Sequence, residues 1–88
     1  MFHKKTPDDF YQYCLVKRGL SEITIDGYRK VIRKFLKINR LEEKHVENYI
    51  GEMRQRKYSY SHVRNTIVAL ENIMSFIGKS IRLGRPKK

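Results

Sequence analysis

Apolar residues recur at spacings of three and four through most of this chain, and no stretch alternates apolar with polar as a half-buried strand would. Val46, Tyr49, Ile50 and Met53 form one stripe, and Val63, Ile67, Leu70, Met74 and Ile77 form a longer one. Ile25, Tyr28, Val31, Ile32, Phe35 and Leu36 fall on one side of a helical wheel at about 100 degrees per residue. Stop and start signals bracket each stripe. Thr6 suits an N-cap, Pro7 the first helical position, and Asp8 and Asp9 place negative charge at the positive end of the helix dipole. That first helix should end at Gly19, a residue free to adopt the left-handed conformation.

Ser21 then caps a second helix, with Glu22 in its first turn, running to about Ile38 before Asn39 and Arg40 break the pattern. A third covers about Glu43 to Arg56, and a fourth, capped by Ser59 or Ser61, ends at Gly78. Short connections between four amphipathic helices predict an all-α, compact four-helix bundle over residues 7–78. Phe10, Tyr28, Phe35 and Tyr49 take core positions, while Tyr11, Tyr58 and Tyr60 are less constrained and have hydroxyls able to meet a phosphate. The remainder, KSIRLGRPKK, holds Gly84, Pro86 and five basic residues. It is expected to be too poor in apolar side chains to pack, so residues 79–88 read as a mobile basic C-terminal tail or interdomain linker.

Length and composition narrow the partners. Eighty-eight residues make one domain with a modest core. The formal net charge of +11, from 20 Lys and Arg against 9 Asp and Glu, exceeds what solubility needs and attracts polyanions. The longest apolar run, Ile67 to Leu70, is four residues, far below the roughly 18 to 20 of a membrane span. No membrane partner is expected. The start, from Met1 to Asp8, has no apolar segment of a secretory signal, which points to an intracellular, cytoplasmic protein. Cys14 is the single cysteine, unable to close an internal disulfide and best read as a small buried hydrophobe. His3, His45 and His62 are scattered without acidic or thiol companions, so no metal is expected. Neither a Gly-rich phosphate loop nor a serine elbow nor a spaced carboxylate pair is present, and the chain is expected to need no cofactor and to carry no catalytic site.

The second helix places the charge. Opposite its apolar arc lie Arg29, Lys30, Arg33, Lys34 and Lys37, with no acid four residues away to neutralise the later ones. Like charges on one helical face repel, and a polyanion relieves that repulsion. The fourth helix differs, for its non-core arc carries Ser61, Arg64, Asn65, Val68, Glu71, Asn72 and Ser75. Arg pairs with guanine, Asn with adenine, and an exposed Val meets the thymine methyl, so this mixed face suits a major groove. An ordinary polar helix face has the same composition. Double-stranded DNA is the leading partner, with Arg29, Lys30, Arg33, Lys34, Lys37, Ser61, Arg64 and Asn65 as candidate binding residues. The alternatives are a stand-alone helical protein-interaction domain with an acidic partner, and an RNA binder, for which no stacking platform of aromatics stands out.

The run GLSEITIDGYRKVIRKFLK, from Gly19 to Lys37, followed by YSYSHVRNTIVALENIMSFIG, resembles the N-terminal core-binding domain of tyrosine recombinases, the phage integrases and Xer-like proteins. The matching positions are Gly19, Leu20, Ser21, Thr24, Tyr28 and Phe35, then Ser59, Ser61 and the spaced apolar residues up to Phe76. The resemblance spans about Asp9 to Gly78. It implies a SAM-like four-helix fold that clamps one side of a recombination site, with the second and fourth helices toward the major groove. It also implies a separate C-terminal catalytic domain of the same protein on the other side. The family's catalytic set is an Arg, a Lys, a His-x-x-Arg pair, a further His or Trp and a nucleophilic Tyr, all in that second domain. None of it transfers here, since His62 and Arg64 are one residue too close together for that pair.

Overall fold

The computed structural model describes residues 6–79 and 81–84, and four helices follow one another in it: α1 (Pro7–Val16), α2 (Glu22–Leu36), α3 (Glu43–Gln55) and α4 (Tyr60–Phe76). Among the described residues there is no strand. Local chemistry accounts for each start. Thr6 Oγ1 accepts the Asp9 N–H at 3.2 Å while the Asp9 carboxylate accepts the Thr6 N–H at 3.0 Å, a reciprocal capping box with Pro7 in its first turn. Ser21 accepts the Thr24 N–H and Ser59 the His62 N–H, each at 3.2 Å. Ser59 is therefore the cap of α4, and Ser61 lies inside the helix. No side chain caps α3; instead His45 Nδ1 accepts the Arg40 N–H at 3.0 Å and holds the loop before it.

Helix ends follow from backbone handedness. Gly19 and Gly78 take φ of 62° and 86°, a region where a side chain is strained. After α4 the Lys79 N–H closes on the Met74 carbonyl at 2.8 Å and the Gly78 N–H on that of Ser75 at 3.0 Å, the paired bonds of a Schellman end. The end of α3 repeats this geometry with Tyr58 on Met53 and Lys57 on Arg54, but Lys57 occupies the left-handed position at φ 57°. The α2 helix stops at Leu36, two residues before Ile38, because the backbone and side-chain amides of Asn39 both bond the Phe35 carbonyl, at 3.1 and 3.3 Å.

The α4 helix packs against each of the other three and supplies Val63, Thr66, Ile67, Ala69, Leu70, Ile73 and Met74 to the interior. Thr66 is tolerated there because its hydroxyl donates to the His62 carbonyl at 2.9 Å. Phe10 joins α1 to α2 and α4, its ring 6.2 Å from Tyr28 and 5.6 Å from Phe76. Phe35 meets Tyr49 edge-on at 5.1 Å and joins α2 to α3. Truncating a buried aromatic at such a junction costs about 3 to 5 kcal/mol.

Two expectations change. Tyr11 is not loosely placed: it is 7% exposed and belongs to the core. The chain after Gly78 is not devoid of packing either, since Ile81 and Leu83 are half-buried against the core. The Leu83 N–H donates to the Glu71 carboxylate at 2.8 Å, Arg54 donates to the Gly84 carbonyl, and the Lys79 ammonium reaches the Leu41 carbonyl at 3.2 Å. Arg82 and Gly84 remain exposed. His3 and the rest of the N-terminal start up to Lys5, together with Ser80 and the stretch from Arg85 through Pro86 to Lys88, lie outside the described residues. Cys14 is fully buried, and burial pushes its thiol above the ordinary value, with Arg18 pulling part of the way back. No described helix is long and apolar enough to cross a membrane.

Candidate functional site

The apolar arc of α2 is drawn into the core at Ile25, Ile32 and Phe35, which turns Arg29, Lys30, Arg33, Lys34 and Lys37 outward, all exposed. That basic face is not uniform. Arg29, Arg33 and Lys37 border an open groove with Pro7, Asp8 and Tyr11 at the start of α1. Arg29 is held there by stacking, its guanidinium carbon 4.9 Å from the centre of the Tyr11 ring. The same cation lowers the Tyr11 phenol, but burial outweighs it and the group titrates above its ordinary value. Lys30 pairs with Asp26 at 3.3 Å, one turn earlier on the helix. Among the described residues no carboxylate pairs with Arg33, Lys34 or Lys37.

Lys34 faces the other way around α2. With Ile38 and Asn39 it lines a cavity of about 230 Å³ whose opposite walls are Asn48, Tyr49, Glu52, Met53 and Arg56 of α3 and its end, then Tyr58 and His62. The His62 ring lies 5.2 Å from that of Tyr58. This cavity brings the basic edge of α2 next to the beginning of α4.

On α4 itself, Ser61, Arg64 and Asn65 are exposed in the first two turns. The rest of the arc expected to read bases is largely spoken for. Asn72 accepts from Arg18 at 3.3 Å and donates to the Tyr28 hydroxyl at 3.4 Å, and Glu71 holds the Leu83 N–H. Val68 is half-buried. The open surface of α4 is thus its N-terminal portion, and only Ser75 of the later positions stays exposed.

Sequence reasoning placed the cations on one arc but did not separate the Tyr11 side from the cavity side. The (i, i+4) spacing of Asp26 and Lys30 signals their pair. The Arg29–Tyr11 stack joins two helices, so no spacing within either reveals it. Among the described residues no group of three or more His, Cys, Asp or Glu side chains converges to hold a metal ion.

Residues 3–79 match a family model described as "Phage integrase, N-terminal SAM-like domain". Neither a curated protein nor a solved structure matches the chain.

Proposed function

The chain belongs to the family of phage-integrase N-terminal SAM-like domains, and from that premise we propose that it is the DNA-binding part of a tyrosine recombinase. It is the N-terminal SAM-like part of integrases and not their catalytic domain. In this reading Arg29, Arg33, Lys34 and Lys37, helped by Lys30, grip the phosphates of duplex DNA. Ser61, Arg64 and Asn65 approach base edges and a neighbouring phosphate from the first turns of α4. Residues 79–88 lead toward a catalytic domain on the opposite side of the duplex.

One observation supports this most. The acids of α2 are confined to its first turns, Glu22 and Asp26, and among the described residues the exposed cations toward its end, Arg33, Lys34 and Lys37, form no ion pair, although Asp8 borders the groove of Arg33 and Lys37 and Glu52 the cavity of Lys34. A helix that keeps uncompensated charge in a row is suited to an anionic backbone, whose condensed counterions it releases on binding. About four to six phosphate contacts over the whole domain give a log–log salt slope of about −4 to −5. The test is a titration of labelled duplex over a range of salt, beside a single strand and an acidic protein at equal ionic strength. A slope near zero, or tighter binding of the acidic protein, refutes the reading. No strand cleavage or covalent adduct on a nicked duplex is expected from this chain, and detecting an adduct removes the assignment of chemistry to another domain.

A further inference from the structure

Arg29 differs from the other cations of α2 in what surrounds it. Its guanidinium carbon lies 4.9 Å from the centre of the Tyr11 ring, and among the described residues no other cation of α2 is stacked on a ring. Tyr11 is a firm support. It is 7% exposed, and its ring packs 5.9 Å from that of Phe10, which is itself buried against α2 and α4. It stands in the second turn of α1, just after the Thr6–Asp9 capping box that fixes the start of that helix. Arg29 also lies where two open grooves meet: Glu22 and Asp26 line one of them with it, and Asp8, Arg33 and Lys37 the other. Asp26 is three residues before Arg29 and four before Lys30, so both cations are neighbours of that carboxylate on the helix surface. It pairs with Lys30, at 3.3 Å, and among the described residues Arg29 forms no ion pair. The stack accounts for this choice, because a guanidinium lying on Tyr11 is kept from turning along α2 toward Asp26.

A guanidinium is flat, and its N–H donors point outward in its plane while its faces carry none. Stacking therefore occupies a face and leaves the edge donors free for the oxygens of a phosphate. Arg29 remains exposed in spite of the stack, so a ligand can reach it. Arg33 and Lys37 follow on the same groove, about 6 and 12 Å further along the helix, without a ring to hold them. A side chain that is ordered only on contact loses its rotamer freedom at that moment, whereas one already held does not.

We infer that Tyr11 is a positioning residue for the contact with DNA: its buried ring holds Arg29 by one face, so that a backbone phosphate meets donors already in place and the rest of the basic edge docks from there. Arg29 is then the anchor of α2, and Arg33 and Lys37 are contacts that form after it. The inference rests on the duplex-DNA reading of α2 and gives α1, which holds no phosphate in that reading, a part in it.

The test keeps every charge and changes only the stack. Arg29→Lys retains the cation but not the flat group, and should weaken duplex binding about fivefold, against less than about twofold for Arg33→Lys, with the salt slope the same in both. Tyr11→Leu should match Arg29→Lys, Tyr11→Phe should bind as the unsubstituted chain does, and Tyr11→Leu combined with Arg29→Lys should lose no more than either alone. Arg29 is exposed, so the comparison of the two lysine variants stands even where Tyr11→Leu fails to fold. In the free chain the Arg29 Nε–H resonance should be shifted upfield by the ring, in Tyr11→Phe as well. Equal losses for Arg29→Lys and Arg33→Lys, additive losses in the double variant, or no ring shift at Arg29 overturns the inference while leaving the DNA reading standing. No duplex binding by the unsubstituted chain overturns that reading, and the inference with it.

Discussion

Replacing Arg33 by Ala tests the division of labour proposed between α2 and α4. Arg33 is exposed, forms no ion pair among the described residues, and contributes no side chain to the core. Its loss should leave folding intact and remove one phosphate contact. Each contact contributes about −0.9 to the log–log salt slope, so between about 50 and 200 mM salt one contact changes affinity by about 3.5-fold. The deficit of Arg33→Ala should therefore be about 3.5-fold larger at the lower salt, on every duplex alike. Lys30→Ala should do less, because Asp26 sits 3.3 Å from that ammonium and already neutralises it. Asp26→Asn should do the reverse, steepening the slope by freeing Lys30. Asn65→Ala should instead cost about 1 to 3 kcal/mol on a preferred site, little on random duplex, and nothing in slope. Fluorescence anisotropy on both duplexes at two salt concentrations measures all four variants. If Arg33→Ala and Asn65→Ala lose affinity in the same proportion on both duplexes and at both salts, the division is wrong. If Asp26→Asn weakens binding, the electrostatic account of Lys30 fails with it.

Lys57→Gly should stabilise the fold by about 0.5 to 1 kcal/mol, because φ of 57° strains any side chain and the glycine's extra freedom when unfolded offsets part of the relief; urea denaturation reads it, and a lowered midpoint contradicts the strain. Glu71→Ala should release the segment around Leu83, seen as lost hydrogen-exchange protection at the Leu83 amide with α4 unchanged; retained protection means that Ile81 and Leu83 hold the segment unaided. Burial raises Cys14, Tyr11 and Tyr49 above ordinary values of 9.0, 10.0 and 10.0. The folded state keeps those protons longer, so their stabilising contribution is complete below about pH 9 and is lost as pH rises through the folded values. Tyr11→Phe should flatten part of that alkaline fall in thermal melts, and an unchanged profile excludes Tyr11 from it.

How much was legible in the chain depended on how local each cause is. Thr6 with Asp9, Ser21 and Gly78 act within a turn of themselves, and the helices begin and α4 ends where those residues direct, whereas α1 already stops at Val16, three residues before the left-handed Gly19. The apolar stripes named Ile32, Phe35, Val46 and Ile67 for the same reason. Lys57 escaped notice because nothing local marks a lysine as left-handed; the bonds from Tyr58 to Met53 and from Lys57 to Arg54 impose it. Tyr11 looked free because its burial comes from α2 across the groove, and Ile81 and Leu83 looked too sparse to pack because the surface that receives them is built by other helices.

The same distinction bears on α4, where periodicity found one long polar arc and could not tell which part other elements cover. Arg18 and Tyr28 cover Asn72, and the returning chain at Leu83 covers Glu71. What stays open is the stretch from Ser61 to Asn65, about 6 Å of helix at 1.5 Å per residue. At about 3.4 Å per base step along a strand, that length spans roughly two base pairs. Two base pairs read by Arg64 and Asn65 discriminate by a few kcal/mol at most, since each good bidentate pair is worth about 1 to 3. A domain built this way, acting alone, would favour its site only modestly over other duplexes. Site selection would then have to come from several copies acting together or from the catalytic domain proposed above, and an isolated domain that selects one sequence by orders of magnitude more than this would require a reading surface beyond α4.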